Sequence, residues 1–213
     1  MSLAGKRVLV TAGPTYEPID PVRFIGNRSS GRQGFAVAEA AAEAGAEVVL
    51  IAGPVCLPTP VGVDRIDVET AQQMHDAVFA ALPADVAILV AAVADWRVDP
   101  SPAKLKKSAG PPSLNLLANP DILRDLASSV NRPRMLVGFA AETDNVVSYA
   151  TAKLASKGAD WIVANDVSGD VMGGGRNRVH LITSGLVEDW PEGTKKSIAV
   201  KLIERLATSL ETK

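Results

Sequence analysis

Five short apolar runs alternate with helix-forming stretches, and this alternation restricts the possible folds more than any other feature of the chain. The runs are "RVLVTAG" (Arg7–Gly13), "EVVLIAG" (Glu47–Gly53), "VAILVAAVA" (Val86–Ala94), "MLVGFAA" (Met135–Ala141) and "WIVAND" (Trp161–Asp166). Strands without in/out alternation are buried on both faces, which calls for a parallel sheet covered by helices on either side. Helical patterns fall between them at Arg32–Ala44, Ala71–Leu82, Pro120–Val130 and Asp144–Lys157. The expected fold is therefore α/β: a Rossmann-like, mostly parallel sheet with helices on both faces. The end of the chain differs. "RVHLITS" and "LVEDW" flank Gly185 as the arms of a hairpin would, and a last helix is expected near Lys195–Ser209. No internal repeat or linker divides the 213 residues, so one domain over residues 1–213 is expected.

Two segments are too long and too polar to be tight turns. One is Pro14–Ser30. The other is Arg97–Ala118, with four prolines and four positive charges, which reads as a flexible lid. A third stretch, "SGDVMGGGRNR", is also expected to move. The rest of the composition excludes whole classes of function. A single cysteine, Cys56, permits no internal disulfide and fits a reducing cytoplasm, and with only His75 and His180 beside it a Cys/His zinc site is not expected. A net charge of −2 gives no general attraction to nucleic acid, so any anion site must be local. No run of 18 apolar residues offers a membrane span, and "MSLAGKRVLV" is too short in its apolar part for a signal peptide.

Ligands of open α/β sheets sit beyond the carboxyl ends of the strands, so the polar residues there carry the functional weight. After the first strand comes Gly13, then a long loop ending in "NRSSGRQG". Gly31 and Gly34 supply only half of a dinucleotide fingerprint. Ser29 or Ser30 can cap the following helix, leaving its free amides for an anion, or the stretch is a capped helix and nothing more. "ANPDIL" offers a second helix start, with Asn119 as N-cap and Pro120 at the first helical position. Asp95, closing the middle strand, is either a turn residue or a holder of a ribose hydroxyl or metal ion. Lys104, Lys106 and Lys107 are either solvated or a lid that closes over polyphosphate. Tyr149 and Lys153, four apart, resemble the dyad of short-chain dehydrogenases, but "TAGPTYEPID" lacks the glycine-rich turn such enzymes need. Lys153 and Lys157 together form a positive stripe.

Taken in order, "EPIDPVRFIGNRSSGRQG", "AAVADW", "KLKK", "NPDIL", "GFAAET", "KLASKGAD" and "ANDVS" resemble the phosphopantothenate–cysteine ligase family, over essentially Gly5 to Leu206. That resemblance implies amide synthesis from 4′-phosphopantothenate and L-cysteine, driven by CTP with Mg2+ or Mn2+. The carboxylate attacks the α-phosphate, pyrophosphate leaves, and cysteine displaces CMP from the acyl-cytidylate. Carried over to this sequence, Ser29, Gly31 and Gly34 match the triphosphate loop, with Gly13 behind it. Leu89, Val90, Ala91, Ala92 and Asp95 match the segment lining nucleotide and substrate, Asp95 being also the candidate metal ligand. Pro120, Asp121, Ile122, Leu123, Phe139, Lys153 and Lys157 match further CTP contacts. Lys104 matches the lysine needed for activation. Asn27 matches the asparagine needed for the second half-reaction. Arg23 matches an arginine supplied to the substrate phosphate from a second subunit, which implies a homodimer. Tyr16 and Trp96 depart from the residues common at their positions. Relatives are often fused behind a flavin-dependent decarboxylase, so either a stand-alone form or half of a bifunctional chain is expected, with the decarboxylase as a fused or separate partner. The rival readings are an NAD(P) oxidoreductase and a non-catalytic nucleotide sensor. Neither nucleic acid nor membrane is an expected partner.

Overall fold

In the computed structural model, residues 2–107, 110–166 and 176–211 are described. The chain begins β1 (Arg7–Ala12), β2 (Tyr16–Pro18), β3 (Phe24–Gly26), α1 (Arg32–Glu43), β4 (Glu47–Ala52) and β5 (Val63–Asp67). It continues through α2 (Ala71–Ala80), β6 (Val86–Leu89), β7 (Trp96–Arg97), β8 (Leu117–Ala118), α3 (Ile122–Ala127) and β9 (Met135–Glu142). It ends with α4 (Val146–Lys157), β10 (Trp161–Asp166), β11 (Arg176–Thr183), β12 (Val187–Thr194) and α5 (Lys195–Glu211).

Eight strands form the main sheet in the order β5-β4-β1-β6-β9-β10-β11-β12. The first six are parallel, and β11 and β12 extend the sheet antiparallel as the expected hairpin. From β1 the chain proceeds outward through β4 to β5. From β6 it proceeds the other way, so the order reverses between β1 and β6. Residues of one strand feed both sides: Val8 and Val10 pack under α1 and α5, whereas Leu9 packs under α2 and α3. Phe35, Val37, Leu202 and Leu206 close the first face, and Met74, Val78, Leu123 and Leu154 the second. This double burial is the reason the strands carry no polar alternation.

Several boundaries differ from the sequence reading, each for a local reason. Strand β6 ends at Leu89 rather than Ala94, because β1 ends beside it. Beyond that point Val90 and Ala92 donate to Thr11 and Gly13 carbonyls at 3.2 and 2.9 Å, and only an isolated bridge joins Pro14 to Ala92. Helix α3 starts at Ile122, not Pro120, because Asp121 takes the cap through its bond from the Arg124 amide at 3.2 Å. Asn119 is occupied instead by donating to the Ala94 carbonyl at 2.8 Å. Strand β5 was not expected: "VDRID" lies at the sheet edge, where only Val63 is buried. The two long segments contain short antiparallel ribbons, β2 with β3 and β7 with β8. In the first, the rings of Tyr16 and Phe24 stack at 3.9 Å. The second ties the base of the expected lid. Residues 168–175 of the third expected mobile stretch lie outside the described residues. Among the described residues no helix is long and apolar enough to cross a membrane.

Candidate functional site

At the reversal between β1 and β6 a cleft of about 520 Å³ opens along the carboxyl edge of the sheet. Gly13 follows β1 into it, and Leu89, Val90, Ala91, Ala92 and Asp95 follow β6. Ser29, Gly31 and Gly34 bring the start of α1 to one side. Pro120, Asp121, Ile122, Leu123, Phe139, Lys153 and Lys157 bring β9, the start of α3 and the C-terminal half of α4 to the other. Of the residues singled out from the sequence, Arg23, Asn27 and Lys104 lie outside this lining.

The α1 side is built for close approach. A Cβ on Gly34 would lie 2.5 Å from the Ala12 Cβ, so only glycine lets the first turn of the helix sit on the end of β1. Gly31 occupies the N-cap position with φ 72°, a left-handed conformation that costs other residues. Neither serine caps the helix, contrary to the sequence reading. Ser29 Oγ instead accepts from the Gly31 amide at 3.3 Å, and no side chain caps the first turn. Those amides therefore face the cleft side of α1 without a side-chain acceptor, as an anion site requires.

The α3–α4 side carries matched rather than open charge, so the lysine stripe is only partly available. Lys157 Nζ pairs with the Asp121 carboxylate. Burial pushes that carboxyl upward, but the Lys157 hydrogen bond, the Arg124 amide and the nearby positive charges outweigh it and hold the group below its ordinary range. Lys153 Nζ donates to the Phe139 carbonyl at 2.8 Å. Burial depresses the Lys153 ammonium below its ordinary 10.5, with Lys157 adding to the effect and Glu142, Asp121 and Asp95 opposing it. Tyr149 is 46% exposed and outside the cleft, so the dehydrogenase-like pair does not converge there.

The three remaining candidates lie outside the lining, and one of them bonds to it. Asn27 Nδ2 donates at 3.1 Å to the carbonyl of Ala92, a lining residue that also accepts from the Thr15 amide at 3.2 Å. Arg23 is paired with Asp20, and its Nη2 also donates to the Leu105 carbonyl at 3.0 Å. The buried Asp20 carboxylate further accepts from the amides of Val22, Arg23 and Leu105 at 2.9, 2.9 and 3.1 Å. The Arg23 guanidinium, helped by these amides and opposed by burial, holds the Asp20 carboxyl well below the usual carboxylate range. Ser101 donates to the Ile19 carbonyl at 2.9 Å, so exposed Lys104 lies between two points where the lid is fastened to the β2–β3 segment.

Asp95 lines the cleft, but among the described residues no group of three or more His, Cys, Asp or Glu side chains stands ready for a metal ion. Asp95 and Asp121 are the carboxylates of the described lining, so these residues would supply only a small part of a divalent cation's coordination. The sequence reading missed Thr11, Arg32, Gln33, Asn165, Asn177 and Lys195, which also line the cleft. Asn165 lay within the quoted "ANDVS"; Asn177 and Lys195 had no local signal, because only the hairpin and the return of α5 bring them to the site.

Comparison with known proteins agrees with this architecture. Residues 3–210 match the family described as "DNA/pantothenate metabolism flavoprotein C-terminal domain". The "Coenzyme A biosynthesis bifunctional protein CoaBC" of Vibrio parahaemolyticus is 43% identical over 215 residues, covering 96% of this chain and 53% of the relative. That of Haemophilus influenzae is 47% identical, covering 98% and 51%. The chain thus spans about half the length of the curated relatives it matches. The crystal structure of a CoaBC C-terminal domain, 42% identical, superposes with a TM-score of 0.85 over 99% of this chain and 98% of that one. A Cab2 variant described in complex with phosphopantothenate-cysteine shares the fold at a TM-score of 0.74, over 97% of this chain and 89% of that one, with 18% identity. By its sequence and its fold, the chain belongs to the DNA/pantothenate metabolism flavoprotein C-terminal domain family.

Proposed function

We propose that this chain is a phosphopantothenate–cysteine ligase acting in coenzyme A biosynthesis, with CTP as the activating nucleotide. The observation that carries the reading is the cleft at the sheet reversal. It sets an uncapped helix start with two glycines opposite Lys153 and Lys157 of α4, in a chain 43% identical to a CoaBC protein. An ionised carboxylate resists attack by an amine, so it must first be turned into a mixed anhydride. The α1 amides bind the triphosphate, and the lid brings Lys104 over it. The 4′-phosphopantothenate carboxylate then attacks the α-phosphorus and expels pyrophosphate. Mg2+ or Mn2+, when bound, would offset the negative charge of the triphosphate, and Asp95 in the cleft lining would be the residue that holds it. Asn27, hinged on the Ala92 carbonyl, turns its amide to the acyl oxygen while the cysteine amine displaces CMP. Both steps draw their acceleration from positioning and from donors aimed at developing negative charge.

The Arg23 side chain is 44% exposed, and its Nη1 has no partner among the described residues, so that edge can reach the phosphate of a substrate in a second subunit. We therefore propose a homodimer, a cytoplasmic setting, and a flavin-dependent decarboxylase acting just downstream, fused or separate. The oxidoreductase reading has no support in a cleft that Tyr149 does not reach. Product analysis by mass spectrometry tests the proposal. Given 4′-phosphopantothenate, L-cysteine, Mg2+ and CTP, the chain yields CMP and the cysteine amide together, and neither when one component is withheld. CDP in place of CMP would replace the acyl-cytidylate by an acyl phosphate, and no nucleotide turnover would remove the ligase.

A further inference from the structure

The positive charge of the cleft is not evenly matched. Lys157 is paired with Asp121 and Lys153 is engaged by the Phe139 carbonyl, so the α4 side is largely compensated. At the opposite corner, Arg32 opens α1 and Lys195 opens α5. Both line the cleft, and neither meets a carboxylate among the described residues. The two helix starts are fastened to each other, because Gln33 Nε2 donates to the Lys195 carbonyl at 3.1 Å. Burial, and then the nearness of Arg32, push the Lys195 ammonium below its ordinary 10.5. Two cations held together without a counter-charge are unfavourable unless a polyanion shares the site.

A second observation points to a ligand at the same corner. Asn177 lies on β11 opposite Gly193, two positions before Lys195. It is 5% exposed and lines the cleft, yet its Oδ1 has no hydrogen-bond partner. Gln33 Oε1 is likewise buried and unpartnered. A buried amide left unsatisfied in the free protein is expected to be satisfied in the complex. Turning about its Cβ–Cγ bond, the Asn177 amide offers either a donor or an acceptor edge to what binds there.

We propose that Lys195 and Arg32, with the side-chain amide of Asn177, bind the β- and γ-phosphates of the nucleotide and stabilise pyrophosphate as it leaves. The assignment rests on the ligase reading above and names the residues that serve the leaving group. A bond forms between the substrate carboxylate oxygen and the α-phosphorus, and the bond from that phosphorus to the α–β bridging oxygen breaks. The electron pair stays on pyrophosphate, and no proton is transferred. The charge that grows on the departing oxygens meets the side chains of Lys195 and Arg32.

The test compares CTP with CMP, since CMP lacks the two phosphates. Calorimetric affinities in Mg2+ and rates of pyrophosphate release are measured for the intact chain and for Lys195→Met, Lys195→Arg and Arg32→Ala. Lys195→Met is expected to lose about tenfold or more in CTP affinity and pyrophosphate release, as for a charge-assisted contact, with CMP affinity changed by less than about twofold. Lys195→Arg recovers most of the loss. Arg32 is exposed, so Arg32→Ala keeps the fold and shows the same CTP-selective loss even if Lys195→Met does not fold. Unchanged CTP affinity, or equal losses for CTP and CMP, overturns the proposal. If the unaltered chain releases no pyrophosphate, the ligase reading fails, while the CTP-to-CMP ratio of the variants still decides whether this corner holds phosphates.

Discussion

The hydrogen bond from Asn27 to the Ala92 carbonyl joins the long loop after β1 to the strand end that floors the cleft. A carboxylate cannot donate in that bond, so Asn27→Asp loses the hinge and places a negative charge at the rim. Pyrophosphate release should persist in this variant, whereas amide formation should fall by about a hundredfold or more, as when a single oxyanion donor is removed. Measuring both products from one reaction checks the split, and equal loss of both would remove Asn27 from the second step. Lys153 gives a prediction about stability. Its ammonium is depressed by burial, so its charged form is penalised in the fold more than in the unfolded chain. The penalty is complete below the folded pKa and is relieved as pH rises from there toward 10.5, because the unfolded chain then binds more protons. Lys153→Met should therefore bind CTP less well yet gain stability relative to the unaltered chain at neutral pH. Denaturant titrations in a pH series should show that gain shrinking in alkali, and a gap independent of pH would refute the assignment. Asn27 and Gly34 could be singled out because both fall in "NRSSGRQG", a compact stretch that resembles a motif of the ligase family. Asn177 and Lys195 were not, since "GRNR" and "GTKK" carry no pattern that distinguishes a ligand contact from a solvated surface.

Parallel strands and the helices between them could be read from the sequence because double burial leaves long apolar runs. Elements held by few residues could not. Strand β5 buries only Val63, and the β2–β3 and β7–β8 ribbons pair two or three residues per strand, too short for any periodicity to register. Yet these ribbons turn the expected free lid into a fastened one. Asp20 is the fastening point: it binds the Arg23 side chain and accepts from the Leu105 amide beside Lys104. Its folded pKa is depressed, so the contribution of the ionised carboxylate is present above the unfolded value and is lost only as pH falls through the folded one. The fastening thus survives mild acid. Asp20→Asn removes the charge that Arg23 and the three amides share, and the lid should open more often. Trypsin should then cleave faster at Lys104, Lys106 and Lys107, with pyrophosphate release falling about tenfold through poorer positioning of Lys104. Unchanged cleavage would mean that the ribbons alone hold the segment.

Across the whole molecule, the cleft is where the two faces of the sheet meet. α1 and α5 pack on one face and α2, α3 and α4 on the other, and the cleft draws its walls from both. Its residues run from Thr11 near the start of the chain to Lys195 near the end, so the site exists only once the sheet is complete. This is the physical reason that Lys195 and Asn177 escaped the sequence reading: a fold class can be inferred from local periodicity, but the meeting of β11, α5 and α1 cannot. A nucleotide that bridges both faces must then stabilise the molecule as a unit. Any ligand that binds the native chain alone contributes about 2.7 kcal/mol at a hundred times its Kd. For a chain of this size each kcal/mol raises Tm by about 2–4 °C, so saturating CTP with Mg2+ should raise Tm by about 5–10 °C in one cooperative transition. CMP at the same concentration should shift it less, because it leaves the phosphate corner empty. Scanning calorimetry decides between two arrangements. A single transition moving with CTP means that one ligand ties the two faces together, whereas an added transition that CTP leaves in place means that the nucleotide is held by one face only.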